Sequence, residues 1–347
     1  MVQKASFRSE WVDYAKGLAI FIILFHHAVY SVEGHGVLGA DSSFWSIRLW
    51  NDFEPLIRVG IFFFIVGLFI ERSFAKVGMR SFVTTRVRTL LYPYLLWQTI
   101  SVLRSAYSHG WDFSNCLSIF LDMPFHGFQQ FWFLACLLQT LVFYVFCQAF
   151  ALSRYRIAAL CFCIYFLPIG PNHPNFLTWQ HNLPYFAMGM LLADRKADLG
   201  HYRGLWMPAA GVLILAAMVL SAEISWSSQP LSRFLINSGY MAGLIMIAAF
   251  LARFERLQVI RLLGSYSLEV YCLQTFAQAT TVRTLQGFGV TSFWVLITAT
   301  VCASVVMPLT VGICDRRFAW RLFRWQKKPA SVPVAAVSKP REMAIPE

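Results

Sequence analysis

The sequence predicts an all-α integral membrane protein, a bundle of about ten transmembrane helices with both termini cytoplasmic. Three observations carry that expectation. The 347 residues are 58% hydrophobic and only 13% charged, whereas soluble domains run near one half and one quarter. The apolar residues fall in runs suited to a bilayer core of ~30 Å. The basic residues between the runs alternate between dense and sparse connections, as cytoplasmic and external loops do.

Taken in order, candidate spans fall at about 11–31, 55–70, 88–106, 130–150, 156–170, 183–195, 205–222, 234–252, 262–282 and 292–314. The fifth and sixth are short, and Pro168, Pro171 and Pro184 suggest that they pair or that one is re-entrant. With the N-terminus inside, the cytoplasmic side collects Lys4, Arg8, Arg72, Lys76, Arg80, Arg86, Arg88, Arg154, Arg156, Arg195, Lys196, Arg203, Arg253, Arg256, Arg261 and the tail from Arg316 onward. The other side receives only Arg48, Arg58, Arg104, Arg233 and Arg283. A missing span would scramble this alternation downstream. Residues 1–315 therefore read as one membrane domain, and 316–347 as a basic, Pro/Ala-rich cytoplasmic tail without periodicity.

Net charge is +12, but its clustering between apolar runs speaks for a lipid bilayer as partner and against nucleic acid. Of the eight cysteines, only Cys116 lies in an expected loop, and neither CxxC nor Cys/His metal spacing occurs. The cysteines read as small apolar filler and no metal is expected. The basic N-terminus before 11–31 is too long and too polar in its run for a cleaved leader, so it reads as a retained first helix.

The first span, WVDYAKGLAIFIILFHHAVYS, holds Asp13, Lys16, His26 and His27. Lys16 and His27 are eleven positions apart, roughly 16 Å of helix rise and nearly one face. Asp13 can pair with Lys16 across one turn, and His26, turned by a further 100°, faces elsewhere. Intramembrane charge costs roughly 2.5–3.5 kcal/mol per residue, and an imidazole suits general-base work near neutral pH. The alternative is that Lys16 snorkels to the interface and the histidines satisfy neighbours. The expected outer loops 31–54, 107–130 and 171–182 mix Trp111 and Trp179 with Gln129, Gln130, Gln180, His126, His181, Asp41 and Glu54. That composition fits either a sugar-binding face or an interfacial belt with solvated loops.

The run Asp13–x2–Lys16–x10–His27 resembles the first helix of the membrane acyltransferase family 3, which modifies bacterial surface sugars. Further segments resemble that family in its order: VGIFFFIVGLFI (59–70), FVTTRVRTLLYPYLLW (82–97), FWFLACLL (131–138), LPYFAMGMLLADR (183–195) and LLGSYSLEVYCLQ (262–274). The resemblance spans about residues 10–315. It implies an O-acyltransferase of the bacterial inner membrane, multi-pass, moving acetyl from cytoplasmic acetyl-CoA to a sugar hydroxyl beyond the membrane. The acceptor would be a sugar or a lipid-linked oligosaccharide or polysaccharide. His27 matches the family's essential His, Lys16 its essential basic residue with Asp13 in support, and Arg86 and Arg88 the basic cluster that meets CoA. Trp132, Glu269 and Gln274 stand in its later motifs as candidate acceptor-binding residues. Departures are Lys16 for the commoner Arg, Val66 for a Ser, the two-residue spacing of Arg86 and Arg88, and Gln274 where many members have His. Succinyl or other acyl transfer to a periplasmic glucan is the same-class alternative. A glycan transporter is the other-class alternative, which the lack of internal repeats weakens.

Overall fold

The computed structural model describes residues 7–34, 59–123, 127–168, 174–194, 209–214, 216, 230–318 and 320–323. Expected outer-loop residues such as His35, Asp41, Glu54, His126 and His173, and the tail from 324, lie outside the described residues. Among these residues the chain is helical throughout, with no strand.

Helix α1 (Phe7–Glu33) is followed by α2 (Gly60–Arg86), a π-helical turn (Val87–Leu91) and α3 (Tyr92–His109). Then come α4 (Phe113–Asp122), a 3-10 turn (Gln129–Phe131), α5 (Trp132–Ala149), α6 (Arg154–Phe166) and α7 (Pro174–Leu191). The C-terminal part holds α8 (Pro230–Phe254), α9 (Gln258–Ser265), α10 (Ser267–Gly287) and α11 (Phe293–Phe318). Among the described residues, four stretches are long and apolar enough to cross a membrane: Glu10–Glu33, Gln129–Ala149, Pro230–Phe254 and Phe293–Phe318.

Most element types follow from the apolar runs, but several boundaries do not. Helix α2 continues past the expected end at 70 to Arg86, bending at Gly78, whose φ of +71° suits a residue without a Cβ. The π turn before α3 has a local cause. Pro93 has no N–H to offer the carbonyl four residues back, and the Tyr92 N–H reaches the Val87 carbonyl instead. The expected span 262–282 is two helices, broken at Tyr266. Helix α7 begins at Pro174, well before the expected 183, so Trp179, Gln180 and His181 are helical rather than loop residues. Gln180 is structural. Its amide donates to the Ile164 and Leu167 carbonyls at 2.6 and 2.8 Å, capping the C-terminal end of α6.

Segment 107–130 also departs from a plain loop. Asp112 caps α4 by accepting from the Asn115 N–H at 2.8 Å. The helix then folds back along α3, where the Tyr94 hydroxyl donates to the Met123 carbonyl at 2.5 Å. Trp111 and Phe128 meet ring to ring, 5.9 Å apart, so the excursion closes on itself. Phe113, Leu117 and Leu121, one helical stripe, remain exposed.

Helices α1, α8, α9, α10 and α11 pack together, and α2, α5, α6 and α7 form the other half of the bundle. Two crossings are so close that only glycine fits. A Cβ on Gly264 would lie 1.7 Å from the Asp13 carbonyl oxygen, and one on Gly17 1.8 Å from that of Ile260, which fixes α9 on α1. Gly67 and Gly189 do the same for α2 and α7, with Cβ positions 2.2 and 2.1 Å from backbone oxygens. Such small-residue crossings substitute close van der Waals contact for the hydrophobic drive that lipid cannot supply. Between them lies a core rich in Phe, with Phe63, Phe64, Phe82, Phe131 and Phe186 essentially inaccessible. The chain beyond α11 is also engaged: Phe323 is fully buried and stacks on Trp97 of α3, and the Trp97 indole donates to the Leu322 carbonyl.

Candidate active site

His27 sits two turns before the end of α1 and lines a cavity of about 730 Å³. Its walls come from α1 (His26, His27, Tyr30, Ser31), α3 (Arg104, Ser105, Ser108), the turn before α5 (Gln129, Gln130, Trp132) and α10 (Thr275, Gln278, Ala279, Arg283). Four segments distant in sequence thus converge on one imidazole pair. The polar wall is pre-set by hydrogen bonds. Gln130 donates to the Thr275 hydroxyl at 2.7 Å, Gln129 to Ser105 at 3.3 Å, and Gln278 to the Leu24 carbonyl at 3.0 Å. Gln129 adopts a φ of +50°, the left-handed region that costs a non-glycine residue energy and clusters at functional positions.

His26 is a correction. Its ring lies 5.3 Å from that of His27, edge to face, and 6.5 Å from the stacked Tyr30 ring. A rotation of 100° between neighbours turned it off the Lys16–His27 stripe but not out of the cavity, which is broad enough to wrap that much of α1.

The other expected residues divide. Lys16 and Asp13 form their predicted pair at 2.7 Å, beside the α9 crossing and at the end of α1 opposite His27. Trp132 lines the cavity. Gln274 is fully buried one residue before the cavity-lining Thr275, and neither amide atom has a hydrogen-bond partner among the described residues. Glu269 lies nine residues before Gln278, roughly 14 Å along α10. It accepts from the Arg316 guanidinium at 2.8 and 3.1 Å. Arg316 also donates to the Ser265 carbonyl and stacks 3.7 Å over Tyr266. Glu269 is therefore a clamp between α10 and α11, away from the cavity.

Arg86 lines a second cleft of about 700 Å³, formed by the end of α2, the π turn, Tyr94 and α5 from Ala135 to Phe146. Its guanidinium is held by the Ser73 hydroxyl at 3.3 Å and lies 4.9 Å over Phe82, while its buried Nε has no partner among the described residues. Burial pushes the Arg86 guanidinium below its ordinary value, yet a guanidinium keeps its proton at any physiological pH. Arg88, two residues on and within the π turn, does not line this cleft.

A family model for an acyltransferase domain matches residues 9–311. The chain belongs to the acyltransferase 3 family. Searches of curated proteins and of solved structures found no match. The matched range takes in all of the His27 cavity and the Arg86 cleft and ends within α11. As an acyltransferase 3 protein, the chain is a membrane-associated acyltransferase, in keeping with its apolar helices.

Sequence reasoning overlooked Ser105, Thr275, Gln278 and the arginines Arg104 and Arg283. Part of the signal was there: Gln98, Ser101, Ser105 and Ser108 recur at helical spacing in an otherwise apolar helix, as do Gln274 and Gln278. Gln274 offers a discriminating experiment. An unpaired buried amide costs about 1–3 kcal/mol, so Gln274→Leu should leave thermal stability unchanged or raised. If the amide serves the reaction of this acyltransferase, transfer should fall at least tenfold in the same variant; full activity would remove Gln274 from the reaction.

Proposed function

We propose that this protein is an O-acetyltransferase of the bacterial inner membrane. It moves acetyl from cytoplasmic acetyl-CoA to a sugar hydroxyl of an extracellular or envelope glycan. About ten spans with both termini inside, as the basic-residue alternation suggests, set Arg86 at the cytoplasmic face and His27 toward the outer face.

One observation carries this reading. On α5, Trp132 lines the His27 cavity and Ala135 lines the Arg86 cleft, three residues and roughly 4.5 Å of rise apart. On α3, Tyr94 lines the cleft and Ser105 the cavity. An extended donor with phosphates at one end and a thioester at the other fits two sites that nearly meet. The Arg86 Nε, without a partner among the described residues, suits phosphate. The narrow arm would follow α3 and α5 rather than the Lys16–His27 stripe, since Lys16 lines neither space. When bound, the CoA thioester supplies the activated acyl carbonyl.

In this reading His27 accepts the proton of the sugar hydroxyl as the oxygen attacks that carbonyl. Breaking of the C–S bond leaves the sugar ester, and the sulfur leaves as a thiol by recovering a proton from the imidazolium. His26 and Tyr30 fix the His27 ring, and the Gln130–Thr275 pair positions the acceptor against Trp132. Lys16, paired with Asp13, keeps the inner end of α1 seated against α9.

Transfer assays with purified protein and either acetyl-CoA or succinyl-CoA test the donor directly. Arg86→Gln should raise the KM for the CoA thioester about tenfold or more with little change in kcat, because a charge-assisted contact to phosphate contributes about 1.5–3 kcal/mol. Arg88→Gln should have a smaller effect. An unchanged KM in the Arg86 variant would remove the donor cleft from the mechanism. Preference for succinyl-CoA would select the glucan-succinylating alternative.

A further inference from the structure

Two cations in the His27 cavity have no role in the transfer chemistry. Arg104 reaches it from α3 and Arg283 from α10. Among the described residues no carboxylate lines the cavity, and neither arginine has an ion-pair partner. Lys16, Arg154, Arg261 and Arg316, by contrast, each sit 2.6–3.8 Å from a carboxylate oxygen. Arg104 and Arg283 are close enough to act on each other electrostatically, and like charges brought together against low-dielectric walls repel. Holding them there without a counter-charge is unfavourable unless something else supplies it.

The setting of Arg104 is also built. Its guanidinium carbon lies over the Phe276 ring, 4.6 Å from the centroid, a cation–π contact that holds the head group in place and uses none of its N–H donors. Arg283, four turns into α10, is exposed at the rim. The pair is therefore one anchored fork and one exposed fork, both lining the same space as His27. The donor's phosphates do not account for it. Arg104 is twelve residues along α3 from Tyr92, roughly 18 Å, whereas the Arg86 cleft lies at the Tyr92 end.

We infer that the acceptor is an anionic glycan, with a phosphate or carboxylate group that Arg104 and Arg283 clasp while a neighbouring sugar hydroxyl is presented to His27. This rests on the proposed transfer reaction for the hydroxyl, but the anion site stands on its own geometry. A phosphate would belong to a lipid-linked or phosphorylated sugar and a carboxylate to a uronic acid. Both are oxyanions that a guanidinium fork binds through two N–H groups.

The test measures binding without any acyl donor, so failure of the transfer reaction leaves it intact. Full-length protein in nanodiscs is titrated with three matched probes: an alkyl glucoside, an alkyl glucuronide and an alkyl glucosyl phosphate. Expected is about 10- to 100-fold tighter binding of one or both anionic probes, falling with added salt. The better of the two identifies the anion. Arg104→Gln and Arg283→Gln should each erode that preference while leaving CoA-thioester binding unchanged, and Arg104→Lys should restore part of it. Equal affinity for the neutral and anionic probes overturns the inference. So does a preference that survives both glutamine variants. Loss of transfer to neutral and anionic acceptors alike, with binding unaltered, also overturns it, since the arginines would then be serving the transition state.

Discussion

His27→Ala is expected to lower acyl transfer by about 10²–10⁴-fold, the usual contribution of a positioned general base, while the protein still enters the membrane fraction. The side chain is partly exposed to the cavity and its removal opens no sealed core, so the loss should fall on kcat rather than on protein yield. His26→Ala should cost less, because His26 acts through the ring contact with His27 at 5.3 Å. The measurement is acetate on the glycan, together with turnover by purified protein. A His27→Ala variant retaining wild-type acetylation would remove the base from the mechanism. A larger loss at His26 would exchange the two roles.

Gly264→Val should be the most disruptive single substitution for the fold. A Cβ there would stand 1.7 Å from the Asp13 carbonyl oxygen, a backbone atom that no rotamer change can move aside. Overpacking ordinarily costs about 1–3 kcal/mol, occasionally more; with helix backbones in direct contact, α9 must separate from α1, and the upper end or beyond is expected. Detergent-solubilised protein should show a clear drop in thermal midpoint, and activity should fall with it because Asp13 and Lys16 border the same crossing. Gly287→Ala is the control. Nothing lies within 4 Å of its Cβ position, so stability should hold or rise slightly. If Gly264→Val unfolds no more easily than Gly287→Ala, α9 and α1 are not in the close contact described.

The helical period explains which parts of this site could be read from the chain. Asp13 and Lys16 are three apart, so their pairing is a local fact of one helix, and it appears at 2.7 Å. The same periodicity put His27 on one stripe with Lys16 but set aside His26, which lines the cavity too, because it gives direction around a helix and not the width of the space that the helix borders. Glu269 shows the opposite limit: a carboxylate inside an apolar run reads as a candidate acceptor contact, but its partner Arg316 lies forty-seven residues away on another helix. Arg104 and Arg283 belong to α3 and α10, and nothing local to either segment announces that the two meet. Helix α4 was legible in principle. Asp112 three residues before Asn115, followed by Phe113, Leu117 and Leu121, is a capped amphipathic helix, but the surrounding polar residues masked it. The break at Tyr266 was not legible, because it follows from how tightly Gly264 must seat against Asp13.

The partners of α1 have a consequence for how the protein is made. The helix that carries His27 packs mainly on α8, α9, α10 and α11, none of which begins before residue 230. Chains emerge from the ribosome in order, at about 5–20 residues per second, so α1 is made some two hundred residues before these four partners. During that interval the Asp13 carboxylate and the Lys16 ammonium already have each other. Asp13 and Lys16, three positions apart and bonded within one helix, let α1 carry its own neutralised pair until the last helices arrive to enclose it.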